Sequence, residues 1–123
     1  MSVNEISYKI RGAIFDVYNE LGPGLLESVY EEALVYELGE RGLVVERQKE
    51  IPVVYKGVKL KTELRLDLLV EDQVIVELKS VKELLDVHFK QTLTYCKLTG
   101  KQLGILVNFN TDDIKNSIRR VVN

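Results

Sequence analysis

Three ionisable residues stand where the chain otherwise reads as buried strand: Asp67 in the run Arg65-Leu66-Asp67-Leu68-Leu69-Val70, and Glu77 and Lys79 in Val74-Ile75-Val76-Glu77-Leu78-Lys79. An ionised side chain inside an apolar run costs several kcal/mol unless something pairs with it. A bound divalent cation would supply that pairing. Mg²⁺ suits two carboxylates, because it is a hard ion that takes one or two of them and keeps other positions for water and a phosphate oxygen. Lys79, two residues after Glu77, projects from the same strand face and can steer or deprotonate a water that attacks phosphorus, or stabilise charge in the transition state. Asp followed by Glu-x-Lys on the next strand is thus the chemistry of phosphodiester hydrolysis.

Period-two alternation sets how the two strands meet. Leu64, Leu66, Leu68 and Val70 share one face of the first, with Glu63, Arg65, Asp67 and Leu69 on the other. Val74, Val76 and Leu78 share a face of the second, opposed by Ile75, Glu77 and Lys79. In an antiparallel hairpin the apolar faces coincide only when even positions pair with even, which sets Asp67 against Glu77. That register needs an odd loop, most simply Glu71-Asp72-Gln73. A two-residue turn would carry Asp67 to the wrong face, and no Gly or Asn supports one. Two facing carboxylates repel, which raises at least one pKa unless a cation lies between them.

The pattern of Asp67 and Glu77-Leu78-Lys79 resembles the PD-(D/E)XK nuclease superfamily. Gly24, Glu27 and Tyr30 in Gly24-Leu25-Leu26-Glu27-Ser28-Val29-Tyr30 are similar to its small GxxExxY family. Gln91-Thr92-Leu93-Thr94-Tyr95 resembles the Gln-x-x-x-Tyr element that follows Glu-x-Lys in the exonuclease-type branch, and Asn108-Phe109-Asn110 resembles the family's closing strand. The likeness runs over roughly residues 8 to 123. Leu66 stands where the superfamily's Pro precedes the Asp, a Pro that many members lack. The resemblance implies a restriction-endonuclease-like core and Mg²⁺-dependent (or Mn²⁺-dependent) hydrolysis of nucleic acid, DNA ahead of RNA. It implies Asp67 and Glu77 as metal ligands, Lys79 as the catalytic lysine and Glu27 as an additional acid from a helix. Gln91, Tyr95 and Tyr30 would position substrate, and the Leu78 carbonyl would join the metal ligands.

Simpler readings stand beside these. Glu27 falls in the first turn of a helix, where a carboxylate is favoured by the dipole. Tyr30 by residue type is a core aromatic. Asp67 and Arg65 with Glu77 and Lys79 could form cross-strand salt bridges. The fold could also serve as a catalytically silent module that binds nucleic acid or protein.

The remaining elements follow from periodicity. Ile6, Ile10, Ile14, Val17 and Leu21 have helical spacing over residues 4 to 21, with Asn4 as cap and Gly22-Pro23 as stop. A second helix is expected over 25 to 41. Strands are expected at 44 to 51, 53 to 55, 58 to 70 and 74 to 79, with a turn at Lys56-Gly57. Residues 83 to 99 are helical in spacing, with an apolar stripe of Leu85, Phe89, Leu93 and Cys96 for the sheet and a polar stripe of His88, Gln91 and Tyr95. His88 reads as a surface or hydrogen-bonded histidine, because Mg²⁺ prefers oxygen. A strand at 103 to 108, a turn at Asp112-Asp113 and a last segment at 118 to 122 close an α/β domain, a mixed sheet flanked by helices.

At 123 residues and 46% hydrophobic content the chain has one core, hence a single domain over 1 to 123. No apolar run approaches a membrane span and no signal pattern opens the chain, so a soluble, cytoplasmic protein is expected. Cys96, the single cysteine, excludes an internal disulfide and a Cys-rich zinc site. A net charge of −2 argues against strong unspecific nucleic-acid binding. Contact with nucleic acid must be local, through Lys56, Lys59, Lys61, Arg65, Lys79 and Lys82, although lysines also guard strand edges. A second copy of the chain is the other partner considered, since so small a domain gains grip on a duplex by pairing.

Overall fold

The computed structural model describes residues 1–123. Helix α1 (Val3–Leu21) and helix α2 (Glu27–Glu40) lead into strand β1 (Val45–Ile51), a small hairpin of β2 (Val54–Tyr55) and β3 (Val58–Lys59), and strands β4 (Leu64–Val70) and β5 (Val74–Lys79). Helix α3 (Asp86–Thr99), β6 (Leu103–Asn108), a short 3-10 turn (Ile114–Ser117) and β7 (Ile118–Val122) complete the chain. The main sheet has the order β1-β4-β5-β6-β7. It is mixed: β5 and β6 run parallel, joined by the α3 crossover, and the other neighbours are antiparallel. No helix is long and apolar enough to cross a membrane.

Two apolar clusters hold the layers together. Ile6, Ile10, Ile14 and Val17 of α1 and Tyr30, Leu34 and Leu38 of α2 pack on Leu68, Val70, Val76, Leu78, Ile105 and Val107 of the sheet. On the opposite face Leu66, Leu69 and Ile75 meet Cys96 of α3. Helix α1 is capped by Ser2, whose Oγ accepts the Glu5 amide at 3.1 Å, rather than by Asn4 as expected. Asn4 already lies inside the first turn, and its Oδ1 accepts from Arg120 instead.

The β4–β5 hairpin has the expected register, Leu68↔Val76, Leu69↔Ile75 and Val70↔Val74, around the three-residue loop Glu71-Asp72-Gln73. Glu71 and Asp72 adopt φ of 53° and 54°, a region costly for residues with a Cβ. The Gln73 amide closes the turn on Val70 O, and Glu71 is tied to Val44 through both its amide and its carboxylate.

Three expectations are corrected. The long strand 58 to 70 is two strands, because residues 60 to 63 leave the ladder and the β2–β3 hairpin forms a separate sheet. Leu66 does not share a face with Leu68 and Val70 but packs beside Leu69 and Cys96. On the neighbouring β1, Gln48 takes φ of 52° beside Lys49, the partner of Leu66, and the β1–β4 ladder skips the Gln48/Asp67 step, so strict alternation breaks there. Finally, α3 begins at Asp86, and Leu85 is 51% exposed. Its fully buried residues are Thr92 and Cys96, with Phe89 and Leu93 half-buried beside them.

Thr92 and Cys96 come close to the sheet because Gly104 on β6 offers no side chain. A Cβ there would lie 2.7 Å from Thr92 Cγ2 and 3.1 Å from Cys96 Sγ. Gly104→Ala should therefore destabilise the fold by about 1–3 kcal/mol through overpacking, read by chemical denaturation. Adding Thr92→Ser, which removes Cγ2 but keeps the hydroxyl bonded to His88 O, should recover part of the loss.

Candidate active site

The ladder between β4 and β5 stops at Leu68↔Val76, and beyond it the two strands bond through side chains. The Asp67 amide donates to Glu77 Oε2 at 2.8 Å, and the Leu78 amide donates to Asp67 Oδ2 at 2.9 Å. Each carboxylate thereby satisfies a main-chain donor of the neighbouring strand, which fixes both side chains. Neither Glu77 Oε1 nor Asp67 Oδ1 accepts a bond from the protein. No buried side-chain oxygen or nitrogen lacks a partner, so both free oxygens remain reachable by solvent although Glu77 as a residue is 4% exposed. The pair is pinned on one side and open on the other.

Burial pushes the Glu77 carboxyl up to about 8, reinforced by the charge of Asp67 and opposed by the Asp67 amide and Lys79. Asp67 is also raised, by burial first and then by the negative charges of Glu31 and Glu27, with the Leu78 amide and Lys79 pulling the other way. Burial and the charges of Glu77 and Asp67 raise the Tyr95 phenol, which locates that ring within their field. Lys79 forms no ion pair within 4.0 Å, and Arg65 pairs with Glu50 at 3.3 Å. The salt-bridge reading of Asp67, Arg65, Glu77 and Lys79 therefore fails.

Glu27 is exposed at the first position of α2, and its charge reaches Asp67. The turn before it is anchored to the end of β5, where Ser80 Oγ donates to Leu25 O at 2.6 Å. Tyr30 does not position substrate: it is fully buried, stacked on Phe109 at 4.4 Å. Its hydroxyl donates to Gly22 O and accepts the Leu25 amide, so it sets the turn that carries Glu27. Tyr30→Phe should cost about 1–3 kcal/mol by removing two part-buried hydrogen bonds worth roughly 0.5–1.5 kcal/mol each, measured as a shift of the denaturation midpoint.

Gln91 is exposed on α3 with a side chain that makes no hydrogen bond to the protein, one helical turn before the half-buried Tyr95. His88 Nδ1 accepts the Leu85 amide at 3.0 Å and caps α3, in line with its reading as a hydrogen-bonded rather than ligating histidine. Asn108 and Asn110 clasp Val81 through its amide and carbonyl, which fixes the chain just beyond Lys79.

One acidic residue escaped the sequence reasoning. Glu31 is buried, accepts from Gln48 Nε2 at 2.6 Å, and lies 3.6 Å from Arg47 Nε. Its charge helps to raise both Asp67 and Glu77. The signal was present: residues 27, 31, 34 and 38 follow helical spacing, so an acid at 31 falls on the stripe of Leu34 and Leu38.

No three His, Cys, Asp or Glu side chains come together as a group that could hold a metal. Glu27 therefore does not join Asp67 and Glu77 at one point. The Asp67–Glu77 pair by itself fits a hard cation: its donors are all oxygen, and one oxygen of each is free and open to water. Two carboxylates suffice for Mg²⁺, which retains several waters.

A family model described as the PD-(D/E)XK nuclease superfamily matches residues 4–121. Among solved structures, the crystal structure of SSO0001 superposes with a TM-score of 0.62 at 24% sequence identity, over 79% of this chain and 50% of that one. The match covers about half the length of that chain, and the likeness concerns the fold. No curated protein matches the sequence.

Proposed function

This chain belongs to the PD-(D/E)XK nuclease superfamily, and we propose that it hydrolyses phosphodiester bonds of nucleic acid, DNA in preference to RNA, with Mg²⁺ or Mn²⁺. The observation that carries the reading is the Asp67–Glu77 pair, with one oxygen of each held by a main-chain amide and the other free. Asp67 and Glu77 would hold the cation, assisted by the Leu78 carbonyl, while Glu27 contributes only its more distant negative charge. When bound, the cation neutralises the carboxylates and polarises the phosphoryl group. Lys79, free of any ion pair, orients the attacking water and bears positive charge where negative charge develops. Gln91 offers an uncommitted amide and Tyr95 a phenol to the substrate from α3. A buried free thiol at Cys96 suits a reducing compartment such as the cytoplasm.

The absence of a third carboxylate at the pair favours a second reading, a silent module that keeps the fold and binds without cutting. The two separate in one assay. Purified protein is incubated with single- and double-stranded DNA and RNA, with Mg²⁺ or Mn²⁺ and with a chelator. Cleavage that the chelator abolishes is expected, and no cleavage of any substrate with either metal overturns the nuclease reading.

A further inference from the structure

Residues 52 to 63 leave the main sheet after the Ile51↔Leu64 pair and project as the β2–β3 hairpin. Leu64 lies three residues before Asp67, and β4 runs antiparallel to β5, so the hairpin rises from the sheet end that holds Asp67, Glu77 and Lys79. Val54, Tyr55 and Val58 are 63%, 59% and 61% exposed. Residues 52 to 63 carry Lys56, Lys59 and Lys61 against a single acid, Glu63, at the base. None of these lysines is in an ion pair. Lys56 Nζ lies 5.5 Å from the centroid of the Tyr55 ring, a contact within the arm that leaves its charge unneutralised. In an acidic chain, an exposed apolar strand pair with three cations outside any ion pair calls for an anionic ligand with apolar surface.

We propose that this hairpin is an arm that enters the major groove of duplex DNA, with Lys56, Lys59 and Lys61 on the flanking phosphates. From Pro52 to the tip at Lys56 and Gly57 the arm reaches roughly 15 Å at ~3.3 Å per residue. The major groove of B-form DNA, about 12 Å wide, admits a two-stranded ribbon, and its base edges offer apolar contacts to valine and tyrosine. The deep, narrow major groove of duplex RNA does not admit one. Charge sets the side of approach, because the outer groove between α1 and α2 presents Glu20 and Glu32, with Asp16 and Glu37 sharing the single cation Arg41, and its net charge repels phosphate. The identity of the ligand as nucleic acid rests on the nuclease reading, and the arm adds which nucleic acid and by which groove.

The test measures binding of a labelled duplex DNA of about 20 base pairs in the presence of a chelator, by fluorescence anisotropy across a salt series. The probes for comparison are its single strand and the duplex RNA of the same sequence. Lys56→Ala/Lys59→Ala/Lys61→Ala should weaken duplex DNA binding roughly tenfold or more near physiological salt and lower the slope of log K against log salt by about 2–3, each lost phosphate contact removing about 0.9. Its thermal midpoint should stay close to that of the wild type, since none of these side chains makes an ion pair and the Lys56–Tyr55 contact lies within the exposed arm. Val54→Ser/Val58→Ser should weaken binding with the slope unchanged. Unchanged affinity and slope in the lysine variant overturn the arm, as does equal weakening on single-stranded DNA or duplex RNA, or no binding of duplex DNA by the wild type. Metal-dependent cleavage is scored separately. Cleavage with an indifferent arm removes the arm and keeps the nuclease, and arm-dependent binding without cleavage does the reverse.

Discussion

Lys79→Ala is expected to lower metal-dependent cleavage roughly 10²- to 10³-fold, the usual loss when a charge aimed at the transition state is removed, and Glu77→Gln to lower it at least as far. Both variants should fold. The Lys79 side chain forms no ion pair, so its removal orphans nothing. Glutamine at 77 can still accept the Asp67 amide that Glu77 Oε2 now takes at 2.8 Å. Single-turnover cleavage with saturating Mg²⁺ separates the two roles. Glu77→Gln should need far more metal, whereas Lys79→Ala should bind metal like the wild type and fail at the chemical step. Activity undiminished in either variant removes that residue from the mechanism.

The second large effect is on stability. Glu77 is raised from 4.5 in the open chain to about 8 in the fold, so between those values the folded protein holds a proton that the unfolded chain has released. A raised carboxyl contributes stability that is complete below its unfolded value and lost as pH climbs through its folded value. The metal-free protein should accordingly weaken from about pH 5 to pH 8, with an upper bound of about 5 kcal/mol from the size of the shift and a few in practice, because water reaches the open carboxylate oxygen. Asp67 shifts in the same direction and adds to the slope. Mg²⁺ should reverse the trend by binding the ionised pair, so its stabilising effect grows from pH 6 to pH 8. Denaturation midpoints across this range, with Mg²⁺ and with chelator, check the sign. Glu77→Gln should flatten most of the metal-free slope, and a wild-type protein whose metal-free stability rises with pH contradicts the account.

What the sequence made legible was the part governed by hydrophobic alternation over several residues. Even-with-even pairing and the short three-residue loop set Asp67 against Glu77, because a one-residue slip would expose Leu68 and Val76, both fully buried. Local departures from alternation left no such trace. Leu66 turns to the α3 side where Gln48 adopts left-handed backbone, and nothing in either residue type announces that step. Apolarity points to only part of the packing face of α3: Cys96 of the apolar stripe is buried, whereas Leu85 is exposed and Thr92 takes its place through a match of size with Gly104. Tyr30 illustrates the limit of motif reading: its place beside Glu27 in the sequence suggested substrate contact, and its hydroxyl instead holds the main chain that positions Glu27. Glu31 is one of five glutamates in α2, and only its burial beside Gln48 and Arg47 sets it apart.

Calorimetric titration with Mn²⁺ at pH 8 tests the central claim most directly, because it reads the carboxylate pair without requiring turnover or a known substrate. The wild type should bind the cation saturably, while Asp67→Asn and Glu77→Gln, both folded, should lose that binding by at least roughly tenfold, the scale set by lost charge and ligation. Equal binding in the wild type and both variants, or none in the wild type, would show that Asp67 and Glu77 do not form a metal site.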